Sequence, residues 1–293
     1  MSSPLRISVT GAAGFLAPYV LQALHGLDAE LVGVTGREPE TRVEGVTYRE
    51  TLPVSDIVLH LGGRASIDRS VSDPFADLEA NAAGTLRVLE AVRHMPAARL
   101  VLASSVAVYG DVEGVIDESV TPRPVVPYGV SKLAAEGYVR SYGRLHGVVG
   151  CIARLGNVYG PGQRQLVVFD LARRATTTGA PLVVRGTGSD VRDFVHAADA
   201  ARALVRIALA GEPGEIYNIA SGEPVTVRRV AELVAAAAGL GQDAVRADGQ
   251  VRVGTTGVSR PSIEKIGRLG YEARVPLETG LAATVAWVRS NHA

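Results

Sequence analysis

Val9-Thr10-Gly11-Ala12-Ala13-Gly14-Phe15-Leu16-Ala17 follows the β-branched run Ile7 to Val9 and opens an Ala/Leu-rich helical pattern, Phe15 to His25. Small residues in a strand-to-helix turn let backbone N–H groups approach an anion at the positive end of the helix. A pyrophosphate is the group that fits. A Gly-x-x-Gly turn alone often arises for conformational reasons, so its weight comes from the strand before it, the helix after it and its place near the first residue. Ala17 stands where a third glycine would pack helix on strand, a small loss there.

Outward from this turn the pattern repeats. Leu31 to Val34, Ile57 to Leu61, Leu100 to Ala103 and Val148 to Ala153 read as further buried strands, with helices at Pro74 to His94 and Val126 to His146 between them. Continuous apolar strands require a parallel sheet covered on both faces, and strand-helix alternation forces right-handed crossovers. The fold class is α/β, a doubly wound parallel sheet over residues 1–160. From Gly160 onward Pro/Gly punctuation and shorter elements predict a smaller lobe, residues 161–293, with some segments returning to the sheet. That lobe is expected over the carboxyl ends of the strands, where ligands bind in open α/β sheets. No internal repeat or low-complexity tract breaks the pattern.

The 293 residues are 47% hydrophobic, enough for a large core, and 30 basic residues balance 30 acidic ones. No long-range field recruits nucleic acid or an anionic membrane, so the expected partner is small. The single cysteine, Cys151, has no internal partner and sits in an apolar run, which reads as core. No leader-like start and no long apolar run is present, so a cytoplasmic location is the default expectation. The six histidines show no ligand spacing with thiols or carboxylates, and no metal is expected.

The end of the second strand is Val34-Thr35-Gly36-Arg37, without the carboxylate that accepts from an adenosine ribose. Arg37 suits a 2′-phosphate instead, which favours NADP, with NAD the alternative. Tyr128 and Lys132 are four residues apart on a predicted helix and share a face. A nearby ammonium stabilises a phenolate and brings its pKa towards the working range. Ser105, at the end of the Leu100 strand, adds a hydroxyl that can hold a carbonyl oxygen within reach of the phenol.

Together these residues resemble the extended short-chain dehydrogenase/reductase family, in its nucleotide-sugar branch of epimerases, dehydratases and ketoreductases. The resemblance rests on eight ordered matches, beginning at Thr10 to Phe15, Leu59 to Gly62, Asn81 to Thr85 and Ser104 to Gly110. It continues through Tyr128 to Lys132, Arg154 to Gly162, Arg192 to His196 and Tyr217 to Ala220. It implies a Rossmann sheet and a catalytic triad of Ser105, Tyr128 and Lys132. It also implies cofactor contacts at Gly11, Ala13, Gly14, Phe15, Leu16, Leu61 and Gly62 beside Arg37, with Lys132 gripping the nicotinamide ribose. Asn157 and Arg192 would contact a sugar-nucleotide diphosphate, with Arg252 a third contact. His196 and Asp199 read as capping or packing residues. By the same analogy the helices at Pro74 to His94 and Val126 to His146 would pair in a homodimer.

The chain also departs from that family. The stretch between Tyr48 and Asp56 is too short for the usual helix, leaving Glu50 and Thr51 as stand-ins at the adenine, and Leu61-Gly62-Gly63-Arg64 replaces the usual alanines. Family dehydratases carry Asp-Glu after the triad hydroxyl and decarboxylating members carry Glu, whereas this chain has Val106-Ala107. That leaves redox at a carbinol carbon. The expected reaction is NADPH-dependent reduction of a TDP-type 4-keto-6-deoxysugar. The alternative is an NAD-dependent nucleotide-sugar 4-epimerase. A non-catalytic sensor predicts a damaged triad and a sterol or acyl-thioester enzyme has no use for diphosphate contacts, so both are disfavoured.

Overall fold

The computed structural model describes residues 4–95, 97–177, 181–250 and 260–292. In chain order its first strands are β1 (Leu5–Thr10), β2 (Ala29–Val34), β3 (Val46–Arg49), β4 (Ile57–His60), β5 (Arg99–Ser105), β6 (Val115–Ile116) and β7 (Val149–Leu155). The remainder are β8 (Asn157–Tyr159), β9 (Leu182–Val184), β10 (Val191–His196), β11 (Ile216–Ile219), β12 (Pro224–Thr226), β13 (Val245–Ala247) and β14 (Arg260–Pro261). Seven of them form one parallel sheet in the order β11-β7-β5-β4-β1-β2-β3. Strand order reverses between β1 and β4, which creates a crevice at their carboxyl ends. The remaining pairings are β12-β10-β8, β13-β9 and β14-β6.

Both faces of the sheet are covered, as its apolar strands demand. Helix α1 (Ala17–Leu24) lies on one face with α7 (Ala197–Ala210), where Val20, Leu21, Leu24, Leu204 and Ile207 pack on Ile7 and Leu59. The opposite face carries α4 (Gly84–Val92) and α5 (Pro127–His146), through Leu89, Val92, Ala135 and Val139. The short helices α2 (Ile67–Ser72) and α3 (Pro74–Leu78) precede α4. A separate core joins α6 (Leu166–Thr177), α8 (Val227–Ala238) and α10 (Leu277–His292), with Leu171, Leu182, Val230, Val234, Leu281 and Val285 at its centre. The second half of the chain is therefore divided, because β11, α7 and α9 (Glu264–Gly267) return to the main sheet.

Two local differences from expectation bear on the site. The helix predicted over Pro74 to His94 is interrupted by a π turn at Glu79–Ala83, so α3 and α4 are distinct pieces with Asn81 at the break. Such turns aim side chains that a regular helix would point elsewhere. No helix joins β3 to β4. Residues 50–56 instead cross three strand spacings, roughly 14 Å, which an extended seven-residue segment reaching roughly 23 Å can span. Cys151 is buried in β7 with its thiol donating to the Glu212 carbonyl at 3.1 Å, the core role its apolar surroundings suggest.

Candidate active site

Gly11 shows how the first turn is built. Its φ is +73°, and an added Cβ would lie 2.6 Å from the Gly62 nitrogen. Only glycine permits that approach of the β1 and β4 ends. The Gly14 N–H donates to the Gly11 carbonyl at 2.8 Å, and no side chain caps the start of α1. The α1 amides therefore face the crevice, as a pyrophosphate cradle requires.

Tyr128 is set by contacts at the start of α5. Its backbone N–H donates to the Ser70 hydroxyl of α2 at 3.1 Å, occupying an amide that a helix start leaves unpaired. Gly129 presses on the turn that follows β5, where an added Cβ would come within 2.6 Å of the Ala107 carbonyl. This contact brings the phenol to Ser105. Both hydroxyl-bearing residues line the same cleft, and Ser105 Oγ accepts from the Ala107 N–H at 3.2 Å. Gly129→Ala is expected to push α5 off this turn and lower kcat about 100-fold, the effect of displacing reacting groups by about 1 Å. Steady-state kinetics beside a cofactor titration would separate that loss from lost binding.

Burial raises the Tyr128 pKa, the Ser105 hydroxyl opposes the rise, and the Asp77 charge adds to it. Lys132 is also buried and its pKa is pushed down to about 8 by desolvation, against the pull of Asp77 and Glu136. Its ammonium donates to the Ala103 carbonyl at 3.0 Å. The expected lowering of the phenol by Lys132 is thus not met in this arrangement: the ammonium is directed at a backbone carbonyl. Activity that needs charged Lys132 should persist below about pH 8 and decline above it, which a pH–rate profile would read.

A buried ion pair holds these elements together. Glu136 of α5 accepts from Arg154 of β7 at 2.9 and 2.6 Å, and from Ser104, the neighbour of Ser105, at 2.6 Å. Arg154 lies over the Tyr109 ring at 4.6 Å, and Tyr109 donates to Asn218 of β11 at 2.8 Å. His60, bonded to Thr10 at 2.6 Å and Thr85 at 3.2 Å, ties β4 to β1 and α4. Burial and the Lys132 charge push its pKa down to about 3, so it stays neutral and serves as a brace.

Ser105, Tyr128 and Lys132 open into a cleft of about 1110 Å³ that also contains Gly11, Ala13, Gly14, Phe15, Leu16, Arg37, Leu61, Asn157 and Arg192. That is more than one drug-sized ligand fills, and room for a dinucleotide beside a nucleotide sugar. Its charged lining is one-sided: Arg37, Arg64, Arg69, Lys132, Arg164 and Arg192 face a single carboxylate, Glu40. Two diphosphates would meet cations there rather than like charge. The residues therefore fit a dinucleotide.

Not every expected residue lies where predicted. Gly62 is turned beneath Gly11, and the wall is made by Leu61 and Gly63. Glu50 and Thr51 are absent from the lining, because residues 50–56 are committed to the crossover; Arg37, Pro39, Glu40 and Thr41 stand at that end. Arg192 bonds Asp190 at 3.3 Å, and the Asp193 carboxylate accepts from the Ser221 and Gly222 amides at 2.6 and 2.8 Å. The Asn157 amide donates to the Asp193 carbonyl at 3.0 Å. His196 caps α7 and Asp199 accepts from the Arg274 and Val275 amides, the structural roles expected of them. Arg252 lies outside the described residues. Among the described residues no cluster of three or more potential metal ligands occurs, and no helix is long and apolar enough to cross a membrane.

Residues 7–220 match the sequence model of the NAD dependent epimerase/dehydratase family. The chain belongs to that family. It is an oxidoreductase-type enzyme of the extended short-chain dehydrogenase/reductase class, in the nucleotide-sugar branch. Across 99% of its length it is 28% identical to the dTDP-glucose 4,6-dehydratase of Streptomyces niveus, covering 94% of that protein. A double mutant of DesIV, the dTDP-glucose 4,6-dehydratase of Streptomyces venezuelae, was solved with NAD bound. It superposes with a TM-score of 0.90 at 27% identity, over 98% of both chains. The UDP-glucose 4-epimerase of Thermus thermophilus, solved with NAD, gives a TM-score of 0.85 at 31% identity, over 97% of this chain and 99% of that one. The cleft lining also includes Arg69, Gln163 and Arg164, together with Trp287 of α10, which no motif in the sequence marks. Trp287 belongs to no local motif and reaches the cleft only through tertiary packing.

Proposed function

We propose that this epimerase/dehydratase-family enzyme interconverts nucleotide sugars at C4 by hydride transfer, as a 4-epimerase that keeps NAD bound. The observation carrying this reading is the make-up of the reactive end. Ser105 and Tyr128 both line it, Val106 and Ala107 follow Ser105, and no carboxylate lines that part of the cleft among the described residues. Elimination of water across C5 and C6 would need a further acid and base. Redox at C4 needs only the pair present.

Ser105 would hold the C4 oxygen, Tyr128 would take its proton as the carbonyl forms and return it when the carbonyl is reduced, and Lys132 would grip the ribose of a bound nicotinamide. A bound nicotinamide supplies the hydride acceptor and donor. Gly11, Ala13, Gly14, Phe15 and Leu16 would hold its pyrophosphate. Asn157 and Arg192 would bind the sugar diphosphate, so Arg192→Ala is expected to raise KM roughly 10- to 100-fold, the loss of one charged hydrogen bond. Val106, Ala107, Ile116, Val125 and Val126 form an apolar wall nearby, which suits a 6-deoxy methyl group.

Arg37 supports a second reading, the NADPH-dependent 4-ketoreductase. It lies at the cleft with its guanidinium on the Ala13 carbonyl at 3.2 Å and no carboxylate at the end of β2. NAD in the solved relatives favours the epimerase. Purified protein should carry NAD and interconvert UDP- or dTDP-sugars at C4; stoichiometric NADPH consumption would establish the reductase, and release of a 4-keto-6-deoxysugar from dTDP-glucose would overturn both. Arg37→Glu separates the two as well, leaving an NAD epimerase nearly unchanged but weakening NADPH use roughly 10- to 100-fold. A homodimer is supported by the apolar residues Phe75 and Leu78 of α3 and Val130 and Leu145 of α5, all exposed on the single chain. Sedimentation would test it.

A further inference from the structure

Behind the Tyr128–Lys132 turn lies a carboxylate that the proposed chemistry does not use. Asp77, on α3, is 1% exposed, and its Oδ1 has no hydrogen-bond partner. Its Oδ2 accepts from Ser131 Oγ at 2.5 Å, and Ser131 immediately precedes Lys132. Ser131 Oγ in turn accepts from Asn81 Nδ2 at 3.0 Å, while Asn81 Oδ1 takes the Arg64 N–H at 2.9 Å. A Cβ placed on Gly63 would lie 2.4 Å from Asn81 Oδ1 and 3.2 Å from Lys132 Nζ, so this network runs up against the ammonium. A buried carboxylate with one oxygen left unbonded is costly unless a cation shares the site.

We propose that Asp77 is a positioning residue that keeps the Lys132 ammonium charged within the buried site, acting through Ser131 and the π turn that carries Asn81. The inference rests on the proposed function, in which Tyr128 transfers the proton and Lys132 is the ammonium beside the cofactor. The titratable groups acting on Lys132 are Asp77 from α3, Glu136 from α5 and His60 from β4. His60 is neutral, and Glu136 is already engaged by Arg154 and Ser104. Asp77 is therefore the carboxylate with bonding capacity left. Its charge also works against phenolate formation at Tyr128, so removing it should move both ionisations the same way.

The chain has two lysines, Lys132 and Lys265, which makes the test direct. With lysine labelled at Cε by carbon-13, NMR of the full-length protein gives one titrating signal at the site and one reference. Asp77→Asn should lower the Lys132 midpoint by roughly one pH unit or more, the effect of losing an opposite charge at close range, with Lys265 unmoved. Both limbs of the kcat/KM profile should shift to lower pH, and Asp77→Glu should restore them. An unmoved Lys132 midpoint, or Asp77→Glu behaving like Asp77→Asn, overturns the proposal. Should Asp77→Asn fail to fold, Asp77→Ala carries the same expectation and the same refutation. A wild-type enzyme inactive on C4 epimers would refute the proposed function while leaving the NMR result to decide the role of Asp77.

Discussion

Tyr128→Phe is expected to lower kcat/KM about 1000-fold, within the range removal of a positioned general acid–base group produces. The phenyl ring keeps the volume of the phenol and the Ser70 contact to the backbone N–H, so fold and cofactor binding should survive. The loss should fall on kcat rather than KM, because the missing proton transfer belongs to the transition state. Ser105 alone would still orient the C4 oxygen, which accounts for residual turnover. Stopped-flow or steady-state kinetics with a parallel NAD titration would check this. Activity within a few-fold of wild type would remove Tyr128 from the mechanism.

The second large effect is on stability. Glu136→Ala removes the carboxylate bonded to Arg154, which is 1% exposed and already has one unpartnered nitrogen, Nη1. Leaving that guanidinium buried without a counter-charge should cost about 3–5 kcal/mol, a fall in Tm of roughly 5–10 °C for a chain of this size. Ser104 would lose its acceptor as well, loosening the end of β5 beside Ser105. Thermal unfolding followed by circular dichroism reads the first effect and kcat the second. A fall of under about 2 °C, below the range such a buried charge should produce, would show that Arg154 finds other partners.

The sheet was legible in the sequence because its strands are buried on both faces and therefore apolar throughout. Leu59 is fully buried and lies in a run a reader can see. β3 was harder: Val46–Arg49 is an edge strand with half its residues facing solvent, and only its pairing with β2 defines it. The meeting of Ser105, Tyr128 and Lys132 at one cleft could be read from motif spacing, since Ser105 ends a strand and Tyr128 begins a helix. The environment that sets their protonation could not. Asp77 reads as an ordinary polar position on a short helix, and only the π turn and Ser131 reveal that it is buried behind Lys132. The phenol–ammonium coupling failed for a related reason: sequence places Lys132 on the right face but cannot show its ammonium on the Ala103 carbonyl. Gly62 is a comparable case, because a Cβ there would lie 3.2 Å from the His60 ring, a contact that only the folded chain shows.

The most direct measurement follows the hydrogen on C4 of the sugar. With a nucleotide sugar deuterated at C4 and turned over in ordinary water, the account predicts deuterium retained at C4 in both epimers, because that hydrogen travels as hydride and never meets solvent. Washout of the label at C4, or uptake of solvent hydrogen at C5, would mean that the reaction proceeds by deprotonation and would contradict hydride transfer at the Ser105–Tyr128 pair.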